Sequence, residues 1–328
     1  MMGINLNALA GAVFAIHLLL PVHGLGQPSC VTFQSSNESF PVVSNGNPAP
    51  VLLSSDDWPG VHRAALDFAS DIEKVTGVKP QLINVTSEQP PSSGSRPIIV
   101  GTLGRSALIE QVVNTTKLDV SSIEGLWEGF LSKEVANPLP GVESAYVIIG
   151  SSKRGTIFGM YDHSEQFGVS PWYWWADVPT TKRDEIYLDS SGCSHGPPTV
   201  QYRGIFLNDE QPALQNWAAE KFTNGTGSKY FNSPFNHIFY EKLFELILRM
   251  KGNYLWPGMF VGPVVLLDAH DFRKLSGGGQ ILKYSSGYDL LTSAISAFCV
   301  DDDENQPLAD YYGIVMGTRH GLTVGSRR

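Results

Sequence analysis

The chain has 328 residues, 42% of them apolar and 17% charged, with 33 Gly and 21 Pro, a composition that excludes the disordered and fibrous classes. Its length allows about two domains at the usual size of roughly 100–200 residues each. With 23 basic against 32 acidic side chains, a net charge of −9 and no Lys/Arg run longer than the terminal pair Arg327 and Arg328, the chain would be repelled by a phosphate backbone. No nucleic acid is expected as a partner.

Residues 8–22 form an apolar run broken only by His17, with the small residues Gly24 and Gly26 ahead of Gln27. The run is short for a bilayer span and reads as a secretory signal peptide over residues 1–26, so the chain is expected to be secreted and free of the membrane after cleavage. Nothing before Ala8 is basic except the amino terminus, which leaves an uncleaved anchor as the alternative. Asn-x-Ser/Thr triplets at Asn37, Asn84, Asn114 and Asn224 are glycosylation candidates that require exposed positions. Of the three cysteines, the most economical pairing joins Cys30 to Cys193 and leaves Cys299 odd.

In chain order, apolar residues at helical spacing predict a helix over 61–76, with Asp57 and Pro59 as start signals and Gly77 as the stop. Short apolar runs at 81–85 and 97–101 follow, then a helix near 106–113, strands near 127–135 and 144–150, and a helix over 157–167. The aromatic run Pro171-Trp-Tyr-Trp-Trp175 comes next. Residues 27–192 therefore read as an amino-terminal α/β domain, with 193–200 as a linker.

From residue 201 the pattern changes. Tyr202-Arg-Gly-Ile-Phe-Leu207 reads as a buried strand running into Asn208-Asp209-Glu210. A helix capped by Ser233 with Pro234 follows and stops at Gly252; strands ending at Trp256 and at Met316 come after it. Strand, polar tip, helix, strand is how a (β/α)8 barrel begins, and such a barrel typically needs about 250 residues, so residues 201–328 read as an incomplete one.

Reacting groups of such barrels sit at the carboxyl ends of the strands, which singles out Asn208, Asp209 and Glu210. The plain alternative is that Asp209 and Glu210 cap the next loop or helix. Adjacent carboxylates point apart and do not serve each other as acid and base. The aromatics Trp172, Tyr173, Trp174, Trp175, Tyr254 and Trp256 could stack on sugar rings, although a cluster beside a linker more often fills an interdomain core. Trp256, at a strand tip, is the better sugar contact. Glu165, with His163 nearby, reads equally as a ligand contact or a solvated helix residue. Residues 101–106 read as a plain turn and Asp301–Glu304 as a solvated acidic turn; no cofactor and no metal ion is expected.

The segments Lys153-Arg-Gly-Thr-Ile-Phe-Gly159, Ser164-Glu-Gln-Phe-Gly-Val-Ser-Pro-Trp-Tyr-Trp-Trp-Ala-Asp-Val-Pro179, Arg203-Gly-Ile-Phe-Leu-Asn-Asp-Glu210, Lys251-Gly-Asn-Tyr-Leu-Trp-Pro257 and Leu308-Ala-Asp-Tyr-Tyr-Gly-Ile-Val-Met-Gly-Thr318 together resemble glycoside hydrolase family 115. The resemblance spans about residues 30–320. It implies an α/β domain followed by a TIM barrel, and an α-glucuronidase that releases (4-O-methyl)glucuronic acid from α-1,2 linkages on glucuronoxylan by inverting hydrolysis, with a homodimer in the full-length family. By motif position, Asp209 would be among the essential carboxylates, and Glu165, Asn208, Trp256 and His320 would contact the substrate. A non-catalytic carbohydrate-binding protein and a hexosaminidase-like hydrolase are the competing readings.

Two features depart from the family. Residues 261–299, which include Gly277-Gly-Gly279, stand where the family passes almost directly to an Asp-rich turn, and the chain ends where the family continues into the rest of its barrel. The main acid and base would fall in that continuation, so the chain is expected to be inactive alone. The stretch is hypothesised to be a translated intron or another gene-model error; a peptide from residues 268–283 in mass spectra of the secreted protein would refute this.

Overall fold

The computed structural model describes residues 29–86, 96–208, 212–225, 235, 237–256, 315–318 and 321–323. The signal segment, Ser233 and Pro234, the stretch 261–299 and the acidic turn 301–304 lie outside the described residues.

A six-stranded mixed sheet forms the centre of the amino-terminal half. Its strands β4 (Val51–Ser54), β5 (Leu82–Val85), β6 (Ile98–Thr102), β7 (Phe130–Leu139), β8 (Val142–Gly150) and β10 (Cys193–His195) stand in the order β10-β7-β8-β6-β4-β5. β5, β4, β6 and β8 run parallel, β7 runs antiparallel to β8, and β10 runs antiparallel to β7. Side chains alternate between the two faces, as strand geometry requires. Val51, Leu53, Ile98, Val100, Tyr146 and Ile148 pack on one side, and Leu52, Ile99, Val147 and Ile149 on the other. Helices α1 (Pro59–Thr76) and α3 (Lys153–Phe167) cover the first face, and α2 (Ala107–Thr116) covers the second. A small antiparallel sheet of β1 (Val31–Thr32), β9 (Ile186–Asp189), β2 (Ser39–Ser44) and β3 (Asn47–Pro48) completes this half.

α1 begins at Pro59, two residues ahead of the sequence expectation, and ends at Gly77 in the left-handed region with φ 81°. Asp57 does not cap it. Its buried carboxylate instead accepts from the backbone N–H groups of Trp58 at 2.7 Å and Thr102 at 2.9 Å, which ties the carboxyl ends of β4 and β6 together. Burial raises the Asp57 pKa despite these bonds.

Cys30 and Cys193 form a disulfide that spans 163 residues, tying the start of the described chain to β10. His163 lies buried against it, with Nε2 3.6 Å from Cys30 Sγ and 3.3 Å from Ser132 Oγ. Burial lowers its pKa and its Nδ1 lies 2.7 Å from the Gly159 carbonyl, so this histidine belongs to the core rather than to a solvated face.

The second half consists of β11 (Gly204–Phe206), α4 (Leu214–Thr223), α5 (His237–Arg249), β12 (Tyr254–Trp256), β13 (Val315–Thr318) and β14 (Gly321–Thr323), the strands forming a sheet in the order β11-β12-β13-β14. The first three residues of the sequence-assigned linker, 193–195, form β10, and one core runs across the junction: Phe239, Leu243, Ile247 and Leu255 pack in the same cluster as Phe68, Ile157 and Phe167. The aromatic run lies in this junction. Tyr173 OH donates to Glu245 at 2.8 Å, Trp175 Nε1 donates to the Lys242 carbonyl at 3.1 Å, Trp174 stacks on Phe222 and Trp175 stacks on Trp217.

A buried charge network reinforces the junction. Arg249 of α5 binds Asp71 of α1 through both terminal nitrogens, at 2.7 and 3.2 Å, and Glu245 through Nε at 2.9 Å. Burial by itself would raise the Glu245 carboxyl, but Arg249 and Lys242 outweigh it and hold it down at about 2. Burial and the Glu245 charge raise Asp67, which works in the opposite direction. Since Glu245 titrates at about 2 folded against 4.5 ordinarily, its contribution is present above 4.5 and is lost as pH falls towards 2. Thermal midpoints measured over that window are expected to fall more steeply for the parent than for Glu245→Gln.

Candidate active site

β11, β12 and β13 are parallel, with Phe206 beside Trp256 and Leu255 beside Met316, so their carboxyl ends share one edge of the sheet. β14 turns back antiparallel, pairing Thr318 with Gly321. Three parallel strands are present among the described residues, and they form an open sheet. The expectation of a buried first strand is met in part: Phe206 is 59% exposed, whereas Ile205 is partly buried and Leu207 packs in the core.

Asn208 lies two residues beyond β11, exposed at this edge rather than packed in the core. Trp256 ends β12 at the same level, placed here by its backbone. Asp209, Glu210 and His320 lie outside the described residues; in sequence they directly follow the tips of β11 and β13. Glu165 is not brought to this edge. Its side chain, 51% exposed near the end of α3, lies 4.0 Å from Lys251 Nζ. Lys251 precedes β12 by three residues, so this contact belongs to the amino-terminal side of the strands. The Lys251 ammonium is held chiefly by the buried Asp162 carboxylate at 2.6 Å.

Sequence reasoning missed the residues that align the strands. Glu128 is buried on a backbone with φ 56° and is contacted by three partners. Arg154 Nε donates to it, Arg203 Nη2 donates at 2.6 Å and Asn253 Nδ2 donates at 2.8 Å. Asn253 also accepts from the Arg203 N–H at 2.9 Å and donates to the Gln201 carbonyl at 2.7 Å, and Arg203 donates to the Lys251 carbonyl. Arg203 and Asn253 each stand immediately ahead of their strand, so one carboxylate from the first half sets the axial register of β11 and β12. The available signal was the single polar residue preceding each short apolar strand. Close approach is the second requirement: a Cβ at Gly204 would lie 1.6 Å from the Tyr254 carbonyl oxygen, which leaves glycine as the residue that fits.

An α/β domain followed by parallel strands whose carboxyl ends share one edge is the arrangement with which a (β/α)8 barrel begins. Residues 195–327 match the family model described as glycosyl hydrolase family 115. The chain matches that model over less than half of its length. It is similar to a solved family GH115 4-O-methyl-α-glucuronidase with specificity for decorated arabinogalactans, at 27% identity and a TM-score of 0.58, covering 85% of this chain and 29% of that one. The chain thus spans under a third of that relative's length. More distant structures include a GH138 enzyme targeting pectin rhamnogalacturonan II, at 14% identity and TM-score 0.39 over 81% of this chain and 30% of that one. Another is an N-acetyl-β-hexosaminidase of Streptomyces plicatus, at 11% identity and TM-score 0.40 over 86% and 42%. No curated protein matched the sequence.

Removing the aligning carboxylate leaves Arg203 and Asn253 with unmet donors at the junction. Glu128→Ala is expected to cost about 3 kcal/mol, at the lower end for breaking a buried charge pair. Gly204→Ala is expected to cost about 1–3 kcal/mol by overpacking. Denaturant midpoints check both, and unchanged midpoints would refute the assigned roles.

Proposed function

We propose that the chain carries the amino-terminal part of a secreted α-glucuronidase site, one that grips a (4-O-methyl)glucuronic acid branch on a plant polysaccharide at the carboxyl ends of β11–β13. The observation that carries this reading is the shared edge of the three parallel strands, which collects Asn208 and Trp256 and, by sequence, Asp209 and His320. The aromatic face of Trp256 would cover the C–H surface of the sugar, and Asn208 would hydrogen-bond a hydroxyl or the carboxylate of the uronic acid. Asp209 would supply an essential carboxylate. Inverting hydrolysis needs a protonated carboxyl on the leaving oxygen and a carboxylate activating water opposite, roughly 6.5–9.5 Å apart. Asp209 and Glu210 are adjacent and cannot provide that pair between them, so the 328-residue chain is proposed to bind without turnover.

The motif resemblance favours glucuronoxylan as the polymer, whereas the similar solved enzyme is specific for decorated arabinogalactans. Calorimetry of the full chain with methylglucuronic acid-bearing xylo-oligosaccharides and with decorated arabinogalactan fragments separates the two. Binding to one class is expected, weakened about tenfold in Asn208→Ala through the loss of about 1.4 kcal/mol. Release of the uronic acid by the unaltered chain would overturn the inactivity, and binding to neither class would overturn the carbohydrate reading.

A further inference from the structure

The face of the central sheet away from the strand-tip edge carries a shallow groove of about 530 Å³ between α2 and the β7–β8 hairpin. Leu139 and Val142, both nearly buried, lie at its floor, while Gln111 and Thr115 on one side and Asn137 and Glu143 on the other supply polar groups. The groove has a local cause. The register of β7 against β8 slips between Ala136 and Leu139, with Asn137 in the left-handed region at φ 49°, and the hairpin turns at Gly141 with φ 78°. The slip interrupts the sheet surface beside the last turn of α2.

Asn114, the acceptor of the triplet Asn114-Thr115-Thr116, stands on that last turn and is exposed. It lies three residues after Gln111, and residues three and four apart are neighbours on one helical face, with Cβ atoms about 5–6 Å apart. Gln111, Asn114 and Thr115 therefore form one continuous strip, of which the first and last line the groove. A substituent on the Asn114 amide would begin its path at the groove's rim. The other acceptors stand elsewhere: Asn37 in an exposed turn, Asn84 on the edge strand β5 and Asn224 just past α4.

We infer that Asn114 is N-glycosylated and that the first N-acetylglucosamine units of its glycan lie in this groove. The sugar's C–H face and acetamido methyl would cover Leu139 and Val142, and its hydroxyls would meet Gln111, Asn137 and Glu143. The volume falls within the range of about 300–1,000 Å³ usual for small-ligand sites. Seated there, the glycan lies along the β7–β8 hairpin. The inference stands apart from the glucuronidase reading and requires only that the chain pass through a glycosylating compartment.

The test uses the full chain secreted from a glycosylating host, with site-resolved mass spectrometry during digestion by a peptide-N-glycanase under native conditions. Occupancy at Asn114 is expected, with release about tenfold slower than at Asn37, the factor that about 1.4 kcal/mol of contact supplies. Denaturing the protein is expected to abolish the difference. Gln111→Trp, an exposed-helix change that lays an indole over Leu139 and Val142, is expected to bring native release at Asn114 up to the Asn37 rate. An unoccupied Asn114, equal native release at Asn114 and Asn37 in the parent, or a folded Gln111→Trp protein with unchanged slow release would each overturn the inference.

Discussion

The Glu128 carboxylate is the point on which the two halves of this structure turn. It belongs to the first half by sequence, yet it receives Arg203 and Asn253, which stand one residue ahead of the first two parallel strands of the second. A buried charge is tolerated only when its hydrogen-bonding capacity is met, and Arg154 supplies the remaining donor. That demand works as a registry device. A one-residue slip of β11 or β12 would strand the carboxylate and move Asn208 and Trp256 out of line at the far end of the same strands.

Around this point the halves behave as one body. Residues 193–195, in the stretch that looks like a linker, pair as β10 with β7, and the helix α5 contributes Phe239, Leu243 and Ile247 to the core that α1 and α3 build on the central sheet. The aromatic run and the Asp71–Arg249–Glu245 network close the remaining contact between α1, α3 and α5. Hydrophobic burial supplies the adhesion, and the paired charges restrict it to one arrangement. The amino-terminal domain is thus a platform that holds strand tips, and its own chemistry-bearing groups are largely committed to that task. His163, Asp162 and Glu128 are all buried and partnered.

The division also clarifies where chemistry can occur. Glu165 and Lys251 meet on the amino-terminal side of the strands, whereas barrels of this type react at the carboxyl ends, where loops enclose the substrate. The shared edge beyond Phe206, Trp256 and Thr318 is where the proposed sugar branch would be held.

By itself the sequence determined the local elements: the 3.6-residue spacing of α1, the short apolar runs that become β5 and β6, the strands that become β7 and β8, the two short strands beginning near Arg203 and Asn253, and, through the motifs around Asn208 and Trp256, a resemblance to glycoside hydrolase family 115; β4 was not read from it. These are properties of near neighbours along the chain, where periodicity and punctuation by Gly and Pro carry the information. Asp57 misled that reading because its carboxylate bonds the ends of two strands 45 residues apart rather than capping the helix beside it. Tertiary structure alone decided that Glu128 aligns the strands, that Glu165 stands at their opposite end, that Tyr173, Trp174 and Trp175 of the aromatic run are packing, and that Asn114 borders a groove. Each depends on side chains brought together from distant positions, and no local pattern encodes a distance between segments that only folding makes neighbours.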